Sequence, residues 1–189
     1  MDCLFVGAAL HSRSHDDANS EGETMCGKCD RPGGHLRHLC EIVGEHGWAV
    51  ISFEGNGSRP PWAYTVGLTG RGIPELVVTA MEPHQARDVL NDVAAHLLHT
   101  GEPDLEPGER LPGPGNLLLE AVAVEVPWVH LTVAVDLYSP EIRATQLVHA
   151  DARGRWPWHR GWLGPGGRQP VLGPRAGAVL AQLANPPWP

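Results

Sequence analysis

Two cysteines near the N-terminus, Cys26 and Cys29, have the two-residue spacing of a CxxC pair. This spacing lets both sulfurs reach one tetrahedral zinc ion, and the charge of the neighbouring Lys28 favours their thiolate forms. Because a structural zinc takes four ligands, the pair is half of a site. His35 and His38 are neighbours on one side of the helix predicted next, so either could add a ligand. We expect zinc to be bound by Cys26, Cys29 and His38, with a fourth ligand from elsewhere.

The CxxC pair has two further interpretations that the sequence leaves open. A redox dithiol normally opens a helix after a strand, and no strand is evident before Cys26. Alternatively, the two thiols are simply exposed on an N-terminal segment. Cys40 is a separate case, because it falls on the apolar stripe of the following helix, where we expect a core residue.

A second set of polar residues accompanies strands in the middle and late parts of the chain. Thr65 lies on a predicted strand with Gly67 leaving space beside it, and Glu75 begins the next strand, where an acid could face a cleft. His149 and Asp151 lie two residues apart at a strand end, so they could act as a base and the group that orients it. No serine or cysteine is placed as a nucleophile, and neither GxSxG nor HExxH occurs.

Each of these residues also has a structural interpretation. Glu75 would be a surface carboxylate that protects a sheet edge, and Asp151 would bond its own backbone in a turn. Trp158 belongs to the segment WPWHRGW, which could line a ligand site or pack a terminal segment onto the core. Tyr64 and Thr65 point to opposite faces of their strand, and we expect Tyr64 in the core.

The stretch Gly67-Leu-Thr-Gly-Arg-Gly72 raises the question of a phosphate loop. Such a loop lies after a strand and before a helix, whose N-terminal N–H groups bind the anion. Here Ile73-Pro74 is followed by another predicted strand, so no helix N-terminus is predicted next to the glycines. We therefore predict a turn that connects two strands of a hairpin.

Hydrophobic periodicity predicts the elements that must position these residues. Helices are predicted over 33–46 and 83–101, a weak helix over 175–183, a loop over 102–115, and strands over 48–53, 62–68, 75–80, 117–126, 129–138 and 144–149. This pattern predicts a single α+β domain, with two main helices packed on a largely antiparallel sheet. The expected organisation is a disordered extension at 1–24, with Met25 as a plausible true start, a globular domain at 25–173, and a tail at 174–189 with the short helix.

Several short motifs in a fixed order give the chain a family resemblance. They are the CxxC pair, His46-Gly47-Trp48, Ala63 to Leu68, Pro74-Glu75-Leu76, Gln146 to Asp151, Trp156-Pro157-Trp158 and Gln169 to Leu172. On these motifs the chain resembles the bacterial family called domain of unknown function 4262, over about residues 25–173. His149 and Ala150 stand where that family usually has Trp-Pro, which could alter a pocket wall. The resemblance implies no particular activity.

Composition narrows the class of function. Of 189 residues, 42% are hydrophobic and 19% are charged, and the formal net charge is −8. The basic residues are scattered, so we expect no nucleic-acid partner. No apolar run approaches the roughly 20 residues that span a bilayer, so we expect no membrane association. Asp2 replaces the basic start of a signal peptide, so we expect a cytoplasmic protein whose cysteines are thiols or metal ligands rather than disulfides.

Two functions fit these observations. The first is a module that binds zinc, an unknown small molecule or a partner protein, and the lack of a recognisable nucleophile or phosphate loop favours it. The alternative is an enzyme of unknown reaction, with a polar pocket formed by Thr65, Glu75, His149 and Asp151.

Overall fold

One mixed β-sheet organises the chain in the computed structural model, which describes residues 6–7, 34–56, 59–101, 104–164 and 168–176. The strands in this part of the chain are β1 (Val6–Gly7), β2 (Ala49–Phe53), β3 (Trp62–Val66), β4 (Glu75–Thr79), β5 (Arg110–Gly113), β6 (Leu117–Ala123) and β7 (Ala144–His149). Their order in the sheet is β1-β2-β3-β4-β7-β6-β5. Neighbouring strands are antiparallel except for β4 and β7, which are parallel. The predicted largely antiparallel sheet is therefore confirmed.

Helices cover both faces of this sheet. They are α1 (Gly34–His46), α2 (Pro83–Thr100), α3 (Pro127–His130) and α4 (Thr132–Leu137). Side chains alternate across a strand, so β4 sends Leu76 and Val78 into the core under α2 and Val77 into the core under α1 and α4. Burial on both faces explains why β4 reads as a continuous apolar run. The α+β class with two main helices is confirmed.

The two long helices begin and end close to their predicted bounds. In α2, the buried residues recur at helical spacing and form the stripe that faces the sheet: Ala86, Val89, Leu90, Val93, Ala94 and Leu97. Pro83 lies in the first turn, where its missing N–H leaves no bond unmade. Gly101 ends the helix with φ of 71°, and its N–H bonds the carbonyl of Leu97 at 3.2 Å.

Two predictions about the second half of the chain are wrong. The predicted strand over 129–138 is instead α3 and α4, because the buried side chains are Leu131, Ala134 and Leu137, at a spacing of three. The alternation of β-branched residues in this stretch was misleading, and Pro127 starts a helix. The predicted loop over 102–115 contains the edge strand β5, which tolerates Pro112 because an edge residue can leave one ladder bond unmade.

Several predictions fall outside the described residues. Cys26 and Cys29 lie there, as do most of the extension at 1–24 and all but the beginning of the helix predicted over 175–183, so these stay predictions. Cys40 lies within α1, half-buried against the core as expected. It is disulfide-bonded, so the expectation of thiols or metal ligands is wrong at this position. That expectation was drawn from the predicted compartment and not from packing.

Candidate functional site

The residues predicted to form one polar pocket lie at opposite ends of the parallel strands β4 and β7. Glu75 pairs with Ala144 in the register of these strands, and His149 lies five residues further along β7. At about 3.3 Å per residue, this separates Glu75 and His149 by roughly 16 Å along the strands. Thr65 and Glu75 therefore form one cluster, while His149 and Asp151 belong to the other end of the sheet.

At the first end, the Glu75 carboxylate is fully buried, and both of its oxygens accept hydrogen bonds. Its Oε2 accepts a hydrogen bond from the Thr65 hydroxyl at 2.6 Å. Its Oε1 accepts bonds from the backbone N–H groups of Gly67 at 3.0 Å and Thr69 at 2.9 Å. The Thr65 oxygen in turn accepts the N–H of Leu76 at 2.8 Å. The surface interpretation of Glu75 is therefore wrong, and we call this group the Glu75 cluster.

The Glu75 cluster also answers the question of the glycine-rich stretch. The stretch forms a 3₁₀ turn, Leu68–Arg71, between the antiparallel strands β3 and β4, so the predicted turn is confirmed. Its N–H groups do bind an acidic group, but that group is the side chain of Glu75. Gly67 has φ of 129°, and an added Cβ would lie 2.7 Å from the Gly47 carbonyl oxygen, so only glycine fits.

The acidity of Glu75 reflects two opposing effects. Burial raises the pKa of this carboxyl from its ordinary value of 4.5, and the bonds from Thr65, Thr69 and Gly67 offset only part of the rise. Burial disfavours the charged form, whereas hydrogen-bond donors favour it. The side chain is therefore a buried acid whose hydrogen bonds to N–H and O–H donors fix the turn between β3 and β4.

At the other end of the sheet, His149 is buried where β7 finishes. Its ring centroid lies 6.0 Å from that of Trp162, at an interplanar angle of 48°. The ring is also hydrogen-bonded to backbone groups of Ala150, Ala80 and Thr79, which offsets part of the effect of burial on its pKa. Burial lowers the pKa of His149 from its ordinary value of 6.5, so the imidazole is neutral at pH 7. Within the described residues, its Nε2 has no hydrogen-bond partner.

A segment after the last strand, residues 168–173, is tied across this end by Gln146 of β7. The Gln146 amide nitrogen donates to the carbonyl of Pro170 at 2.7 Å, and its oxygen accepts the N–H of Leu172 at 2.7 Å. The same nitrogen donates to the Thr79 hydroxyl at 2.9 Å. The buried Gln146 amide thus donates one bond to the segment and accepts one from it, as the backbone of a neighbouring strand would. The segment over 168–173 is therefore held against β4 and β7 by one side chain.

This segment brings Gln169 to the same backbone that His149 contacts. The Gln169 amide nitrogen donates to the carbonyl of Thr79 at 3.2 Å. The side chain is only 3% exposed, and its Oε1 is a second buried atom without a partner in the described chain. Ala80, the next residue, has φ of 56°, a left-handed conformation that is uncommon outside glycine. Backbone strain of this kind is often found at functional sites.

Trp162 supplies the third buried atom of this kind, its indole Nε1. Trp162 also lines an open groove of about 340 Å³ together with Pro157, His159, Gly161, Leu163, Gly164 and Arg168. A Cβ added at Gly164 would lie 2.0 Å from the Trp162 ring, so glycine lets the chain pass beside the indole. We call His149, Trp162 and Gln169 the His149 cluster, and the lined space the Trp162 groove. Trp162 belongs to both.

Asp151 shapes this region without pairing with His149. Its Oδ1 accepts the N–H groups of Arg153 and Arg155, both at 2.9 Å. Its Oδ2 accepts the Arg155 guanidinium at 2.8 Å and the N–H of Leu163 at 3.2 Å. Desolvation alone would raise the pKa of this carboxyl, but the bonds from Arg155, Arg153 and Leu163 hold it well below its ordinary range. The turn interpretation of Asp151 fits this geometry, and it fixes the loop that carries Trp162.

Trp158 lies in a stack beside the groove. Its ring is parallel to that of Trp156, with centroids 5.5 Å apart and an interplanar angle of 9°. Arg110 lies 5.1 Å from the Trp156 centroid and Arg175 lies 4.3 Å from that of Trp158, so a cation covers each outer face. Trp156 is buried against β6 and β7. The stack therefore anchors the loop that ends in the Trp162 groove.

Sequence reasoning found His149 and expected that the segment containing Trp162 could line a ligand site, but it did not place Trp162 and Gln169 together with His149. Both fall inside motifs that were noticed, WPWHRGW and Gln169 to Leu172. Gln146 gave a clearer signal, because a glutamine in the middle of an otherwise apolar or β-branched strand needs buried partners. The sequence pattern does not show which buried polar atoms lack a hydrogen-bond partner in the folded chain.

The predicted zinc set has a single member in the described chain. His38 lies on the exposed side of α1, 3.6 Å from Glu41. Across the described ranges, no group of three or more His, Cys, Asp or Glu side chains is placed to hold a metal ion. Zinc binding at Cys26, Cys29 and His38 therefore stays a prediction. Among the helices that the structure describes, none is long and apolar enough to cross a membrane.

The fold and the site define an α+β protein with a mostly antiparallel sheet and, in the loop that follows β7, an open groove lined by Trp162. The chain belongs to the family described as Domain of unknown function (DUF4262), whose profile matches residues 42–163. The CxxC pair and Gln169 lie outside the matched residues. Neither the curated proteins nor the solved structures contain a significant match.

Proposed function

We propose that this protein is a binding module that holds a small molecule in the Trp162 groove. The body of that molecule lies against the apolar wall of the groove. Of the His149 cluster only Trp162 lines the groove, so the polar groups of the molecule reach the other two side chains after the indole moves. The cavity volume of about 340 Å³ is at the small end of the range of small-molecule sites, roughly 300–1,000 Å³.

The observation that carries this proposal is a set of three buried polar atoms without a partner, on His149, Trp162 and Gln169, beside a groove that Trp162 lines. His149 and Gln169 both contact the backbone at the end of β4, and Trp162 lies against His149. Each buried polar atom without a bond costs about 1–3 kcal/mol of folding free energy. Three such atoms together are expensive unless ordered water or a ligand supplies their bonds.

The scaffold around the cluster supports a binding role because it holds the side chains in place. His149 lies on β7, Gln169 lies on the segment tied by Gln146, and Trp162 follows the turn closed by Asp151. A site built on such rigid supports loses little conformational freedom on binding. His149 is neutral at pH 7, so its Nε2 can accept or donate a bond according to the ligand.

The enzyme alternative has less support. It required Thr65, Glu75, His149 and Asp151 in one pocket, whereas the strand register separates the first two from the last two. The Glu75 and Asp151 carboxylates are already bonded to protein donors. A binding module needs only the groove and the three unpartnered atoms.

The indole N–H resonance of Trp162 provides a direct test. We would record ¹H–¹⁵N spectra of the full chain against a fragment set divided equally among anionic, neutral and cationic compounds, with Trp162→Phe to assign the signal. The Trp48 indole is the internal control, because its N–H already donates to Asn91 at 3.0 Å. We expect some fragments to move the Trp162 signal and not the Trp48 signal. If no fragment does so, the proposal is wrong.

A further inference from the structure

We infer that Cys40 is bonded to Cys3, and that this disulfide holds the edge strand β1 on the sheet, so that its reduction releases β1. The inference does not depend on the proposed function, because it concerns α1, β1 and β2.

The disulfide of Cys40 joins α1 to a part of the chain that precedes it. Cys40 is disulfide-bonded, and α1 contains no other cysteine. The chain has four cysteines, so the partner is Cys3, Cys26 or Cys29. All three precede α1, and the bond therefore links the N-terminal part of the chain to this helix.

The pairing of β1 with β2 brings Cys3 close to Cys40. Cys40 packs against the apolar cluster under α1 that contains Ile51, and Ile51 pairs with Val6 of β1. Cys3 precedes Val6 by three residues, which is at most about 10 Å of extended chain. That short stretch lets Cys3 reach the Cα separation of about 4.4–6.8 Å that a disulfide needs.

The CxxC pair is a poorer partner for Cys40. Cys29 lies five residues before α1 begins at Gly34, and Cys40 lies six residues into the helix. At about 1.5 Å per residue, the chain after Cys29 would have to run back about 9 Å along the helix surface. The described chain provides no strand that would guide this return, whereas β1 guides Cys3.

The strand β1 is too short to depend on its backbone bonds alone. It has two residues in register with β2, whereas the β2–β3 pair has five. So short an edge strand gains few bonds against the entropy of ordering a chain terminus. The disulfide lowers that entropy cost, because it limits where the unpaired strand can go. The pairing of β1 therefore depends on the redox state of Cys40.

A dithiol reductant supplies the two electrons that break the link. One of its thiolates attacks a sulfur of the Cys3–Cys40 bond, forms a mixed disulfide and releases the other protein sulfur as a thiolate. Its second thiol displaces the remaining protein sulfur, so the reductant leaves as a disulfide and both cysteines take up a proton. Loss of β1 then leaves the outer edge of β2 with unpaired N–H and C=O groups, to which another strand can pair.

Peptide mapping of the full chain identifies the partner of Cys40. The protein is purified without reductant, its free thiols are alkylated, and it is digested with trypsin for mass spectrometry. Cleavage after arginine and lysine places each of the four cysteines on a different peptide. We expect the peptide 1–13 to be joined to the peptide that contains Cys40. A link from Cys40 to either cysteine of the CxxC pair, or an alkylated Cys40, would overturn the inference.

Hydrogen exchange of β2 tests what the link does. N–H groups alternate in direction along a strand, so one of Val50 and Ile51 directs its N–H towards β1. That amide should exchange about tenfold or more faster in Cys3→Ser than in the native chain, because the released strand opens freely. The native chain treated with dithiothreitol should behave like Cys3→Ser. Cys26→Ser and Cys29→Ser are the matched controls and should leave the exchange unchanged.

The other outcomes of the exchange experiment contradict the inference. Unchanged exchange in Cys3→Ser would mean that β1 stays on the sheet without the link. The Val77 amide, in the central strand β4, reports global unfolding. If it accelerates as much as the β2 amide, the link supports the whole fold and is not a switch for β1. Faster exchange in Cys26→Ser or Cys29→Ser would assign the link to the CxxC pair.

Discussion

Two buried polar clusters lie at opposite ends of the same pair of strands, and they differ in how many of their polar atoms lack a bond. In the Glu75 cluster, both carboxylate oxygens accept bonds from Thr65, Gly67 and Thr69, and among the described residues only the Thr69 hydroxyl of this cluster has no partner. In the His149 cluster, the Nε2, the Trp162 Nε1 and the Gln169 Oε1 have no partner in the described part of the chain. Burial is similar, but the hydrogen-bond inventory is not.

The difference shows that an unusual pKa or a buried charge does not by itself mark a functional site. Glu75 has a raised pKa and full burial, two features that often accompany catalytic acids. Its bonds instead close the turn between β3 and β4. The His149 cluster is the better candidate because its atoms still need bonds that the described chain does not supply.

The largest effect that would sharpen this comparison is expected from Glu75→Ala. It leaves the Thr65 hydroxyl and the N–H groups of Gly67 and Thr69 without an acceptor in the core. We expect the free energy of unfolding to fall by about 3–5 kcal/mol in urea denaturation. Glu75→Gln keeps the shape and should cost about 1–2 kcal/mol. A loss below 1 kcal/mol in Glu75→Ala would break the comparison.

Gly164→Ala should have the next largest effect and should act on the groove. The new methyl group would lie 2.0 Å from the Trp162 ring, so the indole must move. We expect a loss of about 1–3 kcal/mol in the free energy of unfolding and weaker binding of the fragments that shift the Trp162 signal. Gly161→Ala is not a suitable control, because its φ is 75°. Unchanged binding by Gly164→Ala would place the ligand away from Trp162.

Gln169→Met tests whether a residue of the His149 cluster serves binding more than stability. Methionine has a similar volume, and it removes both the unpartnered oxygen and the bond to Thr79. Because the gain and the loss offset each other, we expect unfolding free energy to change by less than about 1 kcal/mol. Fragment binding should nevertheless be lost. A destabilisation as large as that of Glu75→Ala would mean that Gln169 is structural.

The pH dependence of stability should also differ between the clusters. Because burial raises the pKa of Glu75, the folded state binds a proton more readily than the unfolded chain. Its contribution is therefore present below pH 4.5 and is lost as the pH rises through the folded value. For His149, whose pKa is lowered by burial, the contribution is present above pH 6.5 and is lost as the pH falls towards the folded value.

Unfolding curves of the native chain and Glu75→Gln across pH 4 to 8 check the first of these effects. The stability of the native chain relative to Glu75→Gln should decrease with rising pH, since only the native chain must bury a charge. A relative stability that rises with pH would show that the donors of the Glu75 cluster outweigh its burial.

The smallest effect on either cluster is expected from the CxxC pair. If Cys26 and Cys29 bind zinc, elemental analysis should find about one zinc per chain, and Cys26→Ser or Cys29→Ser should remove it. The Trp162 signal should not respond. Substoichiometric metal with freely reactive thiols at both positions would end the zinc prediction.

Prediction from the sequence succeeded where the periodicity was long and local. The helices α1 and α2 and the strand β7 were predicted correctly, because the spacing of their apolar residues is visible within one continuous stretch of sequence. The helices α3 and α4 were predicted as a strand, because the apolar residues in this ten-residue stretch fit the period of a strand as well as that of a helix. The strand β5 was missed because its four residues show no strand-like alternation of apolar and polar side chains. It is a strand only through its pairing with β6.

The site was predicted less completely, for a physical reason. His149 was identified by type, but its partners come from two loops that the fold brings to β4. Whether a buried atom has a bond depends on the whole tertiary arrangement, so it is not visible in residue spacing. Glu75 shows the same limit, because its donors are backbone N–H groups of a turn.

A crystal structure of the purified full chain, at a resolution that places ordered solvent and ligands, tests the central claim most directly. We predict that the Glu75 carboxylate keeps its bonds to Thr65, Gly67 and Thr69. We also predict that one bound organic molecule contacts His149 Nε2, Trp162 Nε1 and Gln169 Oε1, either as purified or after soaking with a fragment that shifts the Trp162 signal. If those three atoms instead bond other side chains of the protein, the account is contradicted.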